Sequence, residues 1–235
     1  MNLHQKVAII SCLITLNAYT SWAEDVVFDG RNKVNILPGS AAIDTQKIPT
    51  EISSPGDNVL QIMRGSFSAR GKNESLYVIF SNQQYRIVIY DNQSGKVISQ
   101  NQIDGFGVSS AVDVDGDGSQ DLAVLSGYSH QTESSLALKI ISVSGGSFKI
   151  IKDLGAVQTN YACNPEEVRD GAFDLTSRIT ASNALAGTPT FTKEFFEATC
   201  PHEDNIGASS YRSIPSGAVV SSPTSISPKR ATATR

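Results

Sequence analysis

From residue 58 onward the chain is built of short apolar runs, each closed by a turn signal. The runs are Leu76-Tyr-Val-Ile-Phe80, Tyr85-Arg-Ile-Val-Ile-Tyr90, Lys96-Val-Ile-Ser99, Leu122-Ala-Val-Leu125, Leu136-Ala-Leu-Lys-Ile-Ile141 and Phe148-Lys-Ile-Ile151. They are rich in β-branched and aromatic residues, which suit a pleated, half-buried surface, and they are too short for helices. Asp91-Asn-Gln-Ser-Gly95 and Ser144-Gly-Gly146 separate them with hairpin-turn chemistry. No long segment has helical periodicity; Phe191-Thr-Lys-Glu-Phe-Phe-Glu197 comes nearest and reads equally as a strand. The pattern predicts an all-β domain over residues 58–213. A polar, loop-rich segment with room for one strand precedes it over 24–57, broken at Leu37-Pro-Gly39 and Ser53-Ser-Pro-Gly56. The stretch 214–235 is rich in Ser, Thr and Pro and is predicted to be disordered.

One segment breaks the alternation. Asp113-Val-Asp115-Gly-Asp117-Gly118-Ser119-Gln-Asp121 carries four carboxylates, all at odd-numbered positions of a nine-residue stretch, with two glycines between them. Like charges at this density repel unless a hard divalent cation neutralises them, and Ca²⁺ takes about six to eight oxygen ligands. Asp113, Asp115 and Asp117 fall at the first, third and fifth positions of a calcium loop, Gly118 at its sharp turn, Ser119 at the carbonyl position and Asp121 at the ninth. An EF-hand would need a glutamate at the twelfth position and a helix beyond it. Here the twelfth residue is Val124, inside the run Leu122–Leu125, which reads as a buried strand stopped at Ser126-Gly127.

Phe106-Gly107, a short strand, the aspartate loop, Leu122 and then Ser126-Gly127-Tyr128 together resemble an FG-GAP (VCBS-type) repeat, a blade of calcium-binding β-propellers. The resemblance implies side-chain ligands at Asp113, Asp115, Asp117 and Asp121 and a carbonyl ligand at Ser119. It is specific over residues 106–128, although Ser-Gly-Tyr stands where the family has Gly-Ala-Pro. A weaker internal repeat extends it. Glu74-Ser-Leu76 parallels Gln120-Asp121-Leu122 at a spacing near one blade, about 40 to 50 residues. Ser68-Ala-Arg-Gly-Lys-Asn73 replaces the aspartate cluster in that copy, and Asp170-Gly-Ala-Phe-Asp-Leu175 echoes it within a third candidate over about 153–200. Three units fall short of the usual closed propeller of four or more blades. The expectation is therefore a small or incomplete β-propeller-like domain, with a fourth unit drawn from 24–57 and 200–215, or a β-sandwich.

The compartment follows from the first residues. Lys6 precedes the apolar run Val7–Leu16, too short to span a bilayer, and Ser21-Trp-Ala23 places small residues where a signal peptidase reads. Residues 1–23 are read as a signal peptide, which implies a periplasmic or secreted protein with no transmembrane segment after its removal. Ile-Ile-Ser-Cys12 is a poor lipoprotein acceptor. Export leaves Cys163 and Cys200 in an oxidising compartment, and a disulfide is the simple expectation. The 19 basic and 23 acidic residues become 18 and 23 without Lys6. A net charge of −5 argues against nucleic acid or an anionic membrane as partner.

Catalytic constellations are scarce. His130 and His202 are the histidines beyond residue 23, and neither lies in a nucleophile elbow. Cys200-Pro-His202-Glu203-Asp204 and the acids Glu166, Glu167 and Asp170 are weak alternatives for metal or hydrolytic chemistry, and Trp22, the single tryptophan, leaves with the signal. The sequence thus points to an exported, non-enzymatic module that binds calcium structurally and a protein partner functionally. A periplasmic inhibitor or immunity protein of a cell-wall hydrolase and an adhesion module are its two versions. A small calcium-dependent hydrolase and a structural subunit completed by oligomerisation are the other classes.

Overall fold

Each apolar run becomes a strand, and hairpin turns set their order. The computed structural model describes residues 24–32, 48–130, 133–163, 171–182, 188–200 and 206–215, and among them there is no α-helix. The fold is all-β. The first sheet is a four-stranded antiparallel meander of β2 (Asn58–Gly65), β3 (Glu74–Ser81), β4 (Gln84–Asp91) and β5 (Lys96–Ile103). The second sheet curls into a half-barrel. It runs, again antiparallel, through β6 (Gly107–Val112), β7 (Asp121–His130), β8 (Glu133–Ser142), β9 (Lys149–Tyr161), β10 (Phe173–Ser182), β11 (Thr190–Ala198) and β12 (Tyr211–Ile214). A further strand, β1 (Asp25–Asp29), falls in the 24–57 segment and pairs with β10.

Turn residues fix the registers. The β3–β4 hairpin closes through Asn82 and Gln83, both at positive φ, the backbone twist a two-residue hairpin turn needs. The β4–β5 turn is held by the Asp91 carboxylate, which accepts the N–H groups of Gln93 at 2.8 Å and Ser94 at 3.3 Å. Strand β7 runs past the predicted stop at Gly127 to His130. At Gly127 a Cβ would sit 2.2 Å from the Ser135 carbonyl oxygen, so glycine lets β8 approach there and the pairing continues.

The third repeat candidate is not a separate unit. Strand β9 pairs with β8 on one side and, through Gln158–Tyr161, with Phe173–Thr176 of β10 on the other, so no sheet boundary falls between 153 and 200. Before Gln158, β9 leaves β10, and β1 takes its place along Arg178–Ala181. The main-chain carbonyls freed by this exchange find side chains. The Ser177 hydroxyl donates to the buried Val157 at 2.9 Å, as a buried carbonyl requires, and the Lys193 ammonium donates to Leu154 at 3.2 Å and to Ala156. Cys163 and Cys200 are joined as expected, with Cα atoms 5.0 Å apart. The bond ties the ends of β9 and β11 around the start of β10.

Among the described residues three main apolar layers result, beside a small cluster of Phe196, Ala198 and Tyr211. Val27 and Phe28 of β1 pack with Leu125, Leu138, Ile140 and Ile179 inside the curl. Between the sheets, Leu76, Val78, Ile87 and Ile89 of the first meet Val108, Leu122, Val124 and Ile141 of the second. Ile52 covers the far face of the first sheet against Ile79 and Val88. One polar side chain pins the inter-sheet layer: Gln61, only 1% exposed, donates from Nε2 to the Val108 carbonyl at 2.5 Å and accepts the Val108 N–H at 2.9 Å. Residues 1–23, read as a signal peptide, together with Leu37-Pro-Gly39, Glu166, Glu167, Asp170, His202, Glu203, Asp204 and residues 216–235, lie outside the described residues. Ile214, read as the start of the tail, closes β12.

Gln61→Leu keeps the volume but orphans both main-chain groups of Val108. A loss of about 2 to 4 kcal/mol is expected in urea unfolding, against less than about 1 kcal/mol for the exposed Gln102→Leu control. Replacing both cysteines by serine releases a 37-residue closure and is expected to remove about 3 to 4 kcal/mol.

Candidate metal centre

The aspartate loop joins β6 to β7, and its own main chain shapes it. Gly116 and Gly118 stand at φ 78° and 88°, where a side chain would strain the backbone. These turns aim successive N–H groups inward at carboxylates. Asp113 accepts Gly116 N–H at 2.7 Å and Gly118 N–H at 2.9 Å through its two oxygens, Asp115 accepts Asp117 N–H at 3.1 Å, and Asp117 accepts Ser119 N–H at 2.7 Å. The carboxylates of Asp113, Asp115 and Asp117 converge, each offering an oxygen within 4.8 Å of the others. Among the described residues this is the one such group of acids, histidines or cysteines. Its donors are hard oxygens without nitrogen or sulfur, a set that suits Ca²⁺ or Mg²⁺ and not Zn²⁺.

The remaining two expected ligands sit differently. Ser119 is buried beside the cluster. Asp121, the first residue of β7 and 3% exposed, lies outside the converging group and accepts the Val114 N–H at 3.0 Å. Its pKa is pushed up to about 7, first by desolvation and further by the charges of Asp115 and Asp117, against the opposing hydrogen bonds of Val114 N–H and the Ser142 hydroxyl. Asp121 thus braces the loop from beneath, next to three carboxylates that converge on one another.

The loop is also clamped to the first sheet, which spacing along the chain does not reveal. Gln120 donates its N–H to the Ser66 carbonyl at 2.6 Å, accepts Ser66 N–H at 3.0 Å through Oε1, and donates from Nε2 to the Ala111 carbonyl at 3.1 Å. A Cβ at Gly65 would lie 1.9 Å from Gln120 Oε1, so a side chain there would displace the amide from Ser66. At Gly118 a Cβ would come within 2.6 to 2.9 Å of the Arg70 side chain, so the segment 66–73 packs directly on the acidic turn. That segment repeats the brace without the cluster. Glu74, fully buried at the head of β3, accepts Phe67 N–H at 2.6 Å, Ser68 N–H at 2.8 Å and the Ser68 hydroxyl. Asp174, buried near the head of β10, accepts the Tyr211 hydroxyl at 2.9 Å.

His130 ends β7 at an exposed hairpin tip, where the Tyr128 hydroxyl donates to Glu133 at 2.6 Å. Comparison of the chain with protein-family models, curated proteins and solved structures finds no match.

Because Asp121 binds its proton more tightly folded than unfolded, that stabilisation is complete below the ordinary carboxylate value of 3.8 and is lost as pH rises through about 7. In chelator-treated protein the urea midpoint is expected to fall between about pH 5 and about pH 8, and Asp121→Asn to flatten that slope. An unchanged slope in the variant would remove Asp121 as its source.

Proposed function

We propose that this chain is an exported, calcium-binding β-propeller-like module that presents loops on a rigid β-scaffold to a protein partner, with calcium in a structural role. The observation that carries the reading is the convergence of Asp113, Asp115 and Asp117 on a loop whose hydrogen bonds already hold it in a concave turn. On this reading the four-stranded meander is one blade-like unit. Strands β6 to β9 form the next, extended by β10 to β12 instead of ending at a sheet edge. The three carboxylates would hold the ion, with the Ser119 carbonyl and Asp121 completing the set if Asp121 turns outward.

Calcium bound there neutralises the repulsion within the cluster and adds its binding free energy to that of folding. The loop is clamped to Ser66 and Arg70, so the added rigidity reaches the contact between the sheets. The leader 1–23 places the module in the periplasm or outside the cell, where calcium is abundant enough for a weak site. The partner is a protein, with a cell-wall hydrolase under inhibition or a surface ligand under adhesion as the two versions.

Calorimetric titration of Ca²⁺ into chelator-stripped protein, beside Asp115→Ala/Asp117→Ala, tests the metal. One ion per chain is expected, with about 2.7 kcal/mol of added stability at a hundredfold excess over Kd. That corresponds to a melting temperature several degrees higher, and the variant loses it. Absence of binding, or undiminished binding in the variant, would overturn the calcium reading. Retrieval of a hydrolase or of a surface ligand from the exported fraction separates the two partner versions.

A further inference from the structure

We propose that the far face of the four-stranded sheet carries a binding cleft for a neutral oligosaccharide. This site is separate from the metal loop and does not rest on the calcium reading. The cleft, of about 540 Å³, lies between the segment 51–57 and the ends of β4 and β5, and a second depression of about 510 Å³ adjoins it. Gln84 and Gln102 stand at the rim of both, and the second depression lies round the end of the sheet, on the face turned to the second sheet.

The chemistry of the walls selects the ligand. Arg86 forms the floor, its guanidinium bound to Asp57 at 2.5 Å, to the Ile52 carbonyl at 3.1 Å and to Gln100 Oε1 at 2.8 Å. Asp57 already matches the arginine charge, which disfavours phosphate or carboxylate ligands. Guanidinium can only donate, so Gln100 must turn its oxygen inward and present its NH₂ to the groove. Gln102 Nε2 donates to Gln84 Oε1 at 2.6 Å, which leaves an acceptor on Gln102 and a donor on Gln84. Along the groove the open valences therefore run donor, acceptor, donor. Hydroxyls on neighbouring carbons of a sugar both donate and accept, and they pair with such a row where an apolar or ionic ligand cannot.

An extended peptide is the weaker occupant. It would add to the free edge of β5, but that edge is interrupted by a bulge at Ile98, between the partners of Ile89 and Tyr90, and starts with Lys96. Both features oppose strand addition.

The test is a titration of the whole exported protein, in calcium and again in chelator, with tetrasaccharides of N-acetylglucosamine, glucose and galactose up to about 10 mM. The readout is the side-chain amide NMR signals of Gln84, Gln100 and Gln102. At least one sugar is expected to shift those signals equally with and without calcium. Gln84→Ala/Gln102→Ala is expected to weaken binding about tenfold at an unchanged melting temperature, since both residues are exposed. No shift with any of the three sugars, shifts confined to other parts of the chain, or undiminished binding in the variant would overturn the proposal. None of these outcomes bears on whether the aspartate loop binds calcium.

Discussion

A carboxylate buried at the head of an inner strand is the constraint on which the rest of this molecule depends. Taken out of water, it must find donors, and the nearest are the N–H groups of the loop that has just delivered it. Glu74 gathers Phe67, Ser68 and the Ser68 hydroxyl; Asp121 takes Val114 N–H. Each loop is thus folded back on the strand that follows, and β3 and β7 enter the core with their first residues already enclosed. These two strands supply the centre of the layer between the sheets. The loop with converging acids is a second use of this device, because once Asp121 holds the turn from below, Asp113, Asp115 and Asp117 are left to face one another.

Much of the fold was legible because it is local. Runs such as Tyr85–Tyr90 and Leu136–Ile141 carry their strand signal in a few residues, and the Asp91–Gly95 turn carries its own hydrogen bonds. Strand β10 escaped for the opposite reason: it buries Asp174, Thr176, Ser177 and Thr180 alongside Ile179 and Ala181. A strand whose inward residues are polar leaves no apolar alternation to read. Its burial is understandable only with the tertiary partners in place, since Ser177 serves Val157 and Asp174 serves Tyr211. The same holds for β9, whose exchange with β1 along β10 defeats any division of the chain into equal units.

The candidate site divides along the same line. Asp113, Asp115 and Asp117 could be found by spacing alone, since their geometry is set by glycines within the same turn. Gln120 could not. Its partner Ser66 is 54 residues away, and Gln61 meets Val108 across 47. Both glutamines use a side-chain amide as a piece of backbone, closing donors and acceptors that strand pairing leaves open at a bulge or a loop. Nothing in composition marks a glutamine for that work, and a surface assignment is the ordinary expectation for the residue type.

Strand β3 separates the two regions where ligands are proposed. Its first residue, Glu74, stands beside the loops 66–73 and 113–121, and its last, Ser81, lines the amide groove. Eight extended residues span about 25 Å, too far for an ion in the aspartate loop to act on a sugar through its charge in salt solution. Any influence must pass through packing, and the packing here is stiff: Leu76, Val78 and Ile79 are fully buried on both faces of the sheet. A layer packed this closely transmits strain but yields little to it. Calcium would therefore raise the temperature at which the groove is lost without changing its affinity while it exists.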